Sequence, residues 1–174
     1  VQMQSVIEEE CSGNGALACM VAMPKADAVI IPEPGPGLPA LYSAEVGVVW
    51  AFVTVTGRPA HVRDKQAGVN AIEAAMSIWS RFEAYEREMN RAENIHASFR
   101  GVNHPVNVNL GTVEGGEWNS SVATRARLGL RVGVMMGNTA DRVKADILGI
   151  VETARGDPAL RGAKVKVAFQ GFHA

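Results

Sequence analysis

The stretch from Val122 to Val134 constrains the fold more than any other part of the chain. Val122, Ala126, Leu128, Leu130, Val132 and Val134 fall on one side of a period-two pattern, and Arg125, Arg127 and Arg131 fall on the other. Successive side chains of a strand point to opposite faces, so this is a strand with one apolar and one cationic face. Such a strand belongs in an antiparallel sheet covered on one side only. Parallel sheets, buried on both faces, are excluded for this half of the chain.

The flanking segments supply the cover. Val46 to Thr56 is rich in β-branched and aromatic residues, as strands are. From Gly68 to Met89, Val69, Ile72, Met76, Trp79 and Phe82 recur at helical spacing and predict one long helix with an apolar stripe. Arg91 to His104 reads as a long polar connection. Pro105 to Val113 alternates again, GGEWNSS turns the chain, and Asn138 or Thr139 is placed to cap a second helix carrying Val143, Ile147, Ile150 and Val151. Lys164 to Phe169 forms the last strand. The order β-α-β-β-α-β predicts an α+β, ferredoxin-like domain: four antiparallel strands with both helices on one face. Met76, Ile78, Trp79, Phe82 and Tyr85 spread wider than one core-facing stripe needs, so part of that helix is expected at an interface.

Residues 1–44 read differently. Two β-type runs, Val1 to Ile7 and Ala28 to Ile31, flank an apolar helix from Gly15 to Met23, with Pro32-Glu33-Pro34 and GPG closing the segment. Strand, helix, strand predicts a parallel βαβ unit, which needs more sheet than this segment provides. The chain also begins without methionine, and the expectation is a piece of a larger protein.

The formal net charge of −1 gives no electrostatic case for nucleic acid or an acidic membrane. The strands also lack the paired aromatics with which ferredoxin-like RNA-binding domains stack bases. No run is long and apolar enough to span a bilayer. Cys11 and Cys19 make neither a structural zinc set nor a disulfide framework, and read as reduced thiols of a cytoplasmic protein.

Two places could carry chemistry. In GRPAHVRDKQAGVNAI, residues 57–72, one histidine, His61, sits in a polar loop punctuated by Gly57, Pro59 and Gly68. A lone loop histidine is by default a surface residue. Glu8, Glu9 and Glu10 are adjacent and by default a solvated cluster; Glu33 lies some two dozen residues on. Carboxylates so placed after strands could hold a cation and move a proton.

Taken together, EEExxGxGA, AD followed by EP, GRPAH and G-x-N-A-I resemble the acetylornithine deacetylase / succinyl-diaminopimelate desuccinylase / carboxypeptidase G family of two-zinc metallopeptidases. The resemblance covers essentially the whole chain and divides it into a catalytic-domain piece (1–44), a dimerisation or lid domain (45–170) and a return linker (171–174). It implies Glu9 as general base, Glu10 and Glu33 as metal ligands, and His61 as the lid histidine that reaches a partner subunit's active site. It also implies Arg131 as a contact for a substrate carboxylate and, more weakly, Asn119 in a substrate-contact loop. Glu8 stands where the family often has aspartate, and Met136 where it often has proline. The implied parent holds two zinc or cobalt ions, hydrolyses an N-acyl amino acid or peptide, and is a homodimer through its lids. The family's H-x-D motif is missing, and His96, His104 and His173 match none of its ligand motifs. This chain by itself is therefore expected to bind no metal stably and to be inactive. The alternative is a non-catalytic ferredoxin-like module that dimerises or binds a small ligand.

Overall fold

A computed structural model describes residues 1–33 and 42–173. The chain divides into two compact units, Val1–Ser43 and Ala44–Ala174.

In the first unit, a helix, α1 (Asn14–Ala22), buries none of its residues. The strands expected at 1–7 and 28–31 are not formed among the described residues. Val29, Ile30 and Ile31 stand 73–92% exposed. A strand needs a ladder partner and a covered face, and neither apolar run has them within this unit. Pro34 and the GPG run lie outside the described residues.

The second unit contains β1 (Gly47–Thr56), α2 (Ala71–Met89), β2 (Val108–Gly115), β3 (Arg125–Val134), α3 (Ala140–Ala154) and β4 (Lys164–His173). The sheet order is β2-β3-β1-β4, antiparallel throughout, which is the ferredoxin-like arrangement the periodicities predict. β1 and β3 pair over their whole length, from Gly47 opposite Val134 to Thr56 opposite Arg125. β4 continues through His173, into the residues expected as a return linker.

One face of this sheet carries the core. Val49, Ala51, Val53 and Val55 of β1 and Ala126, Leu128, Leu130, Val132 and Val134 of β3 are buried against Ile78 and Phe82 of α2 and Val143, Ile147 and Val151 of α3. The helix stripe differs from the one read off the large apolar residues. Ala71, Ala74, Ala75, Ile78 and Phe82 face the core, while Ile72 and Met76 are 37% and 43% exposed. Three alanines bring the helix axis close to the strands, and the bulkier residues turn to the flank. Asn70 caps α2 by accepting from the amides of Ile72 and Glu73. Thr139, the second of the two expected candidates, caps α3 through Arg142 N–H.

The long connection after α2 is held by side chains. Asn90 accepts from Val106 N–H at 3.0 Å and donates to Val106 C=O at 2.7 Å. Glu86 Oε1 accepts from Val108 N–H at 3.0 Å, and His104 Nε2 lies 3.1 Å from the same oxygen. The helix thus supplies hydrogen bonds to the backbone of Val106 and Val108, where the chain enters β2. Phe99, Val106 and Met135 form a second small core beneath this loop. Asn90→Ala should lower stability by about 1–3 kcal/mol, because it strands two partly buried backbone groups. Arg91→Ala removes only an exposed pair with Glu88 and should cost less than about 1 kcal/mol. Urea unfolding of the two variants checks the difference.

Candidate functional site

The loop after β1 folds back on itself and against the β2–β3 connection. Arg58 and Val69 exchange both backbone hydrogen bonds, at 3.0 and 2.9 Å, and so close the neck of the loop. Gly57 N–H donates to Thr124 C=O at 2.8 Å, and Val122 N–H to Ala60 C=O at 3.0 Å. His61 bridges in antiparallel fashion to Ser121. Two loops that neither strand ladder reaches are therefore stitched together by main-chain bonds, with His61 at the seam.

His61 is exposed, and it caps a short 3₁₀ helix, Val62–Ala67. Its Nδ1 accepts from Arg63 N–H at 3.1 Å. A ring nitrogen that accepts carries no proton, so the neutral imidazole bears its hydrogen on Nε2. The loop thus holds the imidazole as a hydrogen-bond donor through Nε2.

Asn119 lies in the turn Trp118–Ser121, closed by Ser121 N–H donating to Trp118 C=O at 3.1 Å. It is exposed and two residues from the bridge partner of His61, so the structure brings these two expected residues into one pair of loops. Sequence reading missed the residue that pins this turn, Glu117. Its carboxylate accepts from Thr124 Oγ1 at 2.5 Å and Thr124 N–H at 3.1 Å, the Thr124 hydroxyl being the stronger cause holding its pKa below the usual glutamate range. A glutamate seven residues before a threonine across a turn gives no local signal in a single sequence.

Arg131 lies elsewhere. It is exposed on β3, opposite Trp50 of β1 and Asn109 of β2, and makes no ion pair among the described residues. Arg125, at the loop end of β3, pairs with Thr56 where β1 enters the His61 loop. Six residues of strand separate Arg131 from that point, roughly 20 Å. His61 and Arg131 of one chain are too far apart to hold the same small functional group.

In the first unit Glu9 and Glu10 sit in an exposed turn, and Glu33 is exposed farther on. The ordered member of the acidic run is Glu8. Its backbone, at φ +60°, accepts from the amides of Cys11, Ser12 and Gly13. Its carboxylate accepts from the Ser12 hydroxyl and from Asn14 Nδ2, which hold its pKa down, the serine most. Among the described residues no three histidine, cysteine, aspartate or glutamate side chains converge as ligands. Dispersed carboxylates without nitrogen or sulfur do not fit a zinc ion. No helix is long and apolar enough to cross a membrane among the described residues.

Residues 43–157 match the peptidase dimerisation domain family. The chain belongs to that family. The peptidase dimerisation domain is by its description a self-associating one. Solved structures of similar fold include amidases of the hydantoinase/carbamoylase family from three Burkholderia species. For B. ambifaria the TM-score is 0.57 at 14% identity, over 75% of this chain and 28% of that one. For B. phymatum it is 0.54 at 13%, over 72% and 28%, and for B. vietnamiensis 0.53 at 15%, over 75% and 28%. At such identities the likeness is one of fold, and the chain spans under a third of the length of these proteins. No curated protein sequence matches it.

The depressed pKa of Glu117 sets a pH dependence for the loop pair. A carboxylate whose folded pKa is lowered contributes stability above its unfolded value, about 4.3, and loses it as pH falls through the lower folded one. Amide exchange at Thr124 should therefore accelerate relative to the β1–β3 ladder on acidification below about pH 4. Glu117→Gln should show the faster exchange already at neutral pH.

Proposed function

We propose that this chain is the dimerisation and lid portion, with part of the catalytic domain, of a metal-dependent amide hydrolase of the acetylornithine deacetylase / succinyl-diaminopimelate desuccinylase / carboxypeptidase G type. The whole enzyme would carry two zinc or cobalt ions and cleave an N-acyl amino acid or small peptide. Its other ligands would come from polypeptide beyond this chain, as would the sheet that the first unit needs. The reading is carried by the His61 loop: a donor imidazole, fixed in one tautomer at the loop seam of a dimerisation domain. Its Nε2–H suits the oxygen of a scissile amide as negative charge develops there. The distance from His61 to Arg131 supports service to two different active sites, Arg131 on one and His61 on the partner's.

The lids would pair through β2 rather than β4. Both are edge strands with unpaired backbone groups on one side. On the β2 side Val113 is 54% exposed, and Ile72 and Met76 of α2 are 37% and 43% exposed, with Ile72 Cδ1 3.1 Å from where a Cβ on Gly116, just past β2, would sit. A two-fold axis there would make an isologous contact. Light scattering should report twice the monomer mass at micromolar concentration, and Met76→Arg with Val113→Lys should give monomers. A wild-type monomer would reject this interface.

Catalysis in trans is tested in the polypeptide completed with its remaining catalytic segments. His61→Ala should lower kcat by about 10²–10³-fold. Homodimers of His61→Ala and of Glu9→Gln, each strongly impaired, should regain one working site per mixed dimer on subunit exchange. Persistent inactivity on mixing would place His61 outside the partner's site. A second reading, a non-catalytic dimerising module, draws on the dispersed carboxylates of the first unit; a completed polypeptide without amide hydrolysis would favour it.

A further inference from the structure

The sheet face turned away from the helices carries two aromatic side chains that the lid reading leaves without a role. Trp50 and Phe52 are half-buried on the outward side of β1, between the inward Val49, Ala51 and Val53. Each ring is placed by a glycine. Phe52 stands opposite Gly129, where a Cβ would collide with Thr112 Oγ1 and lie 3.3 Å from Phe52 Cε1. Trp50 leans the other way, onto Gly171 of β4, where a Cβ would fall 2.5 Å from Cε3 and 2.9 Å from Cζ3. Gly171 has φ +81°, at the irregularity that shifts the β1–β4 register between Val49 and Ala51. Both rings therefore lie down on the sheet instead of standing off it.

The two rings differ in what covers them. The Arg127 guanidinium lies 4.1 Å from the Phe52 centroid, so that ring already has its cation. Among the described residues no cation lies over Trp50, and its cross-strand neighbour on β3 is Arg131. Arg125, Arg127 and Arg131 of β3 and Lys164 and Lys166 of β4 share this face with one strand carboxylate, Glu114 of β2. That cationic surface belongs to a chain whose formal net charge is −1. Its complement is an anion, and a flat one where the indole forms the floor.

We propose that Trp50 and Arg131 form a subsite for a planar aromatic acid, whose ring stacks on the indole while its carboxylate meets the guanidinium. Such a fork suits a carboxylate bidentately, and offset stacking favours an aryl over an alkyl group. This rests on the lid reading and deepens it: the amide cleaved would carry an aromatic group on the Arg131 side. Gly171 is then a positioning residue, since a side chain there would displace the indole.

The test is a titration of the 174-residue chain followed at its three indole N–H resonances, Trp50, Trp79 and Trp118. The probes are benzoylglycine, acetylglycine and benzylamine. Benzoylglycine should shift the Trp50 signal and bind roughly threefold to tenfold tighter than acetylglycine, with benzylamine weakest. Trp50→Leu should equalise the two acids. Gly171→Ala, which keeps the indole but moves it, should also reduce the preference and guards against a folding artefact in the first variant. No shift at Trp50 up to tens of millimolar ligand, equal affinity for the two acids, or a preference that survives Trp50→Leu would overturn the proposal. The subunit-exchange experiment is independent of this titration: the lid reading fails there, and the aromatic subsite fails here.

Discussion

The second unit depends on a sheet that is covered on one side. β1 and β3 pair residue for residue over ten positions, and every inward side chain along them is buried under α2 or α3. Because side chains alternate along a strand, a slip of one residue would put the arginines of β3 into the core and its valines into water. The cost of burying unpaired guanidinium groups locks the register. That register in turn sets which residues share the open face, where both edges lie, and which loops meet at the end of the central strand pair.

The loop pair is a consequence of that end. β1 leaves the sheet at Thr56 directly opposite the residue, Arg125, where β3 enters it. The segments beyond run side by side, and their backbone groups satisfy one another: Gly57 with Thr124, Ala60 with Val122. His61 is thereby fixed by main-chain geometry, not by packing, since it is exposed. Its own Nδ1 closes the short helix that follows, which settles its tautomer. A histidine held this way stays open to a partner while keeping a defined donor direction.

The first unit has no comparable constraint. Its helix buries nothing, and its apolar residues, Met20, Val21 and Ile30 among them, remain on the surface. Among the described residues, the turn around Glu8 is tightly organised by hydrogen bonds within seven residues of sequence. The glutamates with a role in the family resemblance, Glu9, Glu10 and Glu33, are the ones left without such partners among the described residues. Local bonding orders a turn, but bringing distant carboxylates together takes a packed scaffold, which this unit does not have.

The sequence determined by itself what depends on period and on neighbours a few residues apart. The four strands of the second unit, its two helices, their order, the cap of α3 to within one residue and the cationic face of β3 are all of that kind. The tertiary structure decided what depends on close approach between distant segments. Alanines, invisible to a search for bulky stripes, became the core face of α2 because a helix packs nearest where its side chains are smallest. The strands expected in residues 1–31 did not form because apolar composition cannot supply a ladder partner. Glu117, Gly129 and Gly171 gained their parts only when Thr124, Phe52 and Trp50 came to lie against them. The two glycines show why most plainly. What places each ring is the missing Cβ of a residue at least 77 positions away in the chain, and a missing atom matters only once another part of the fold needs its space.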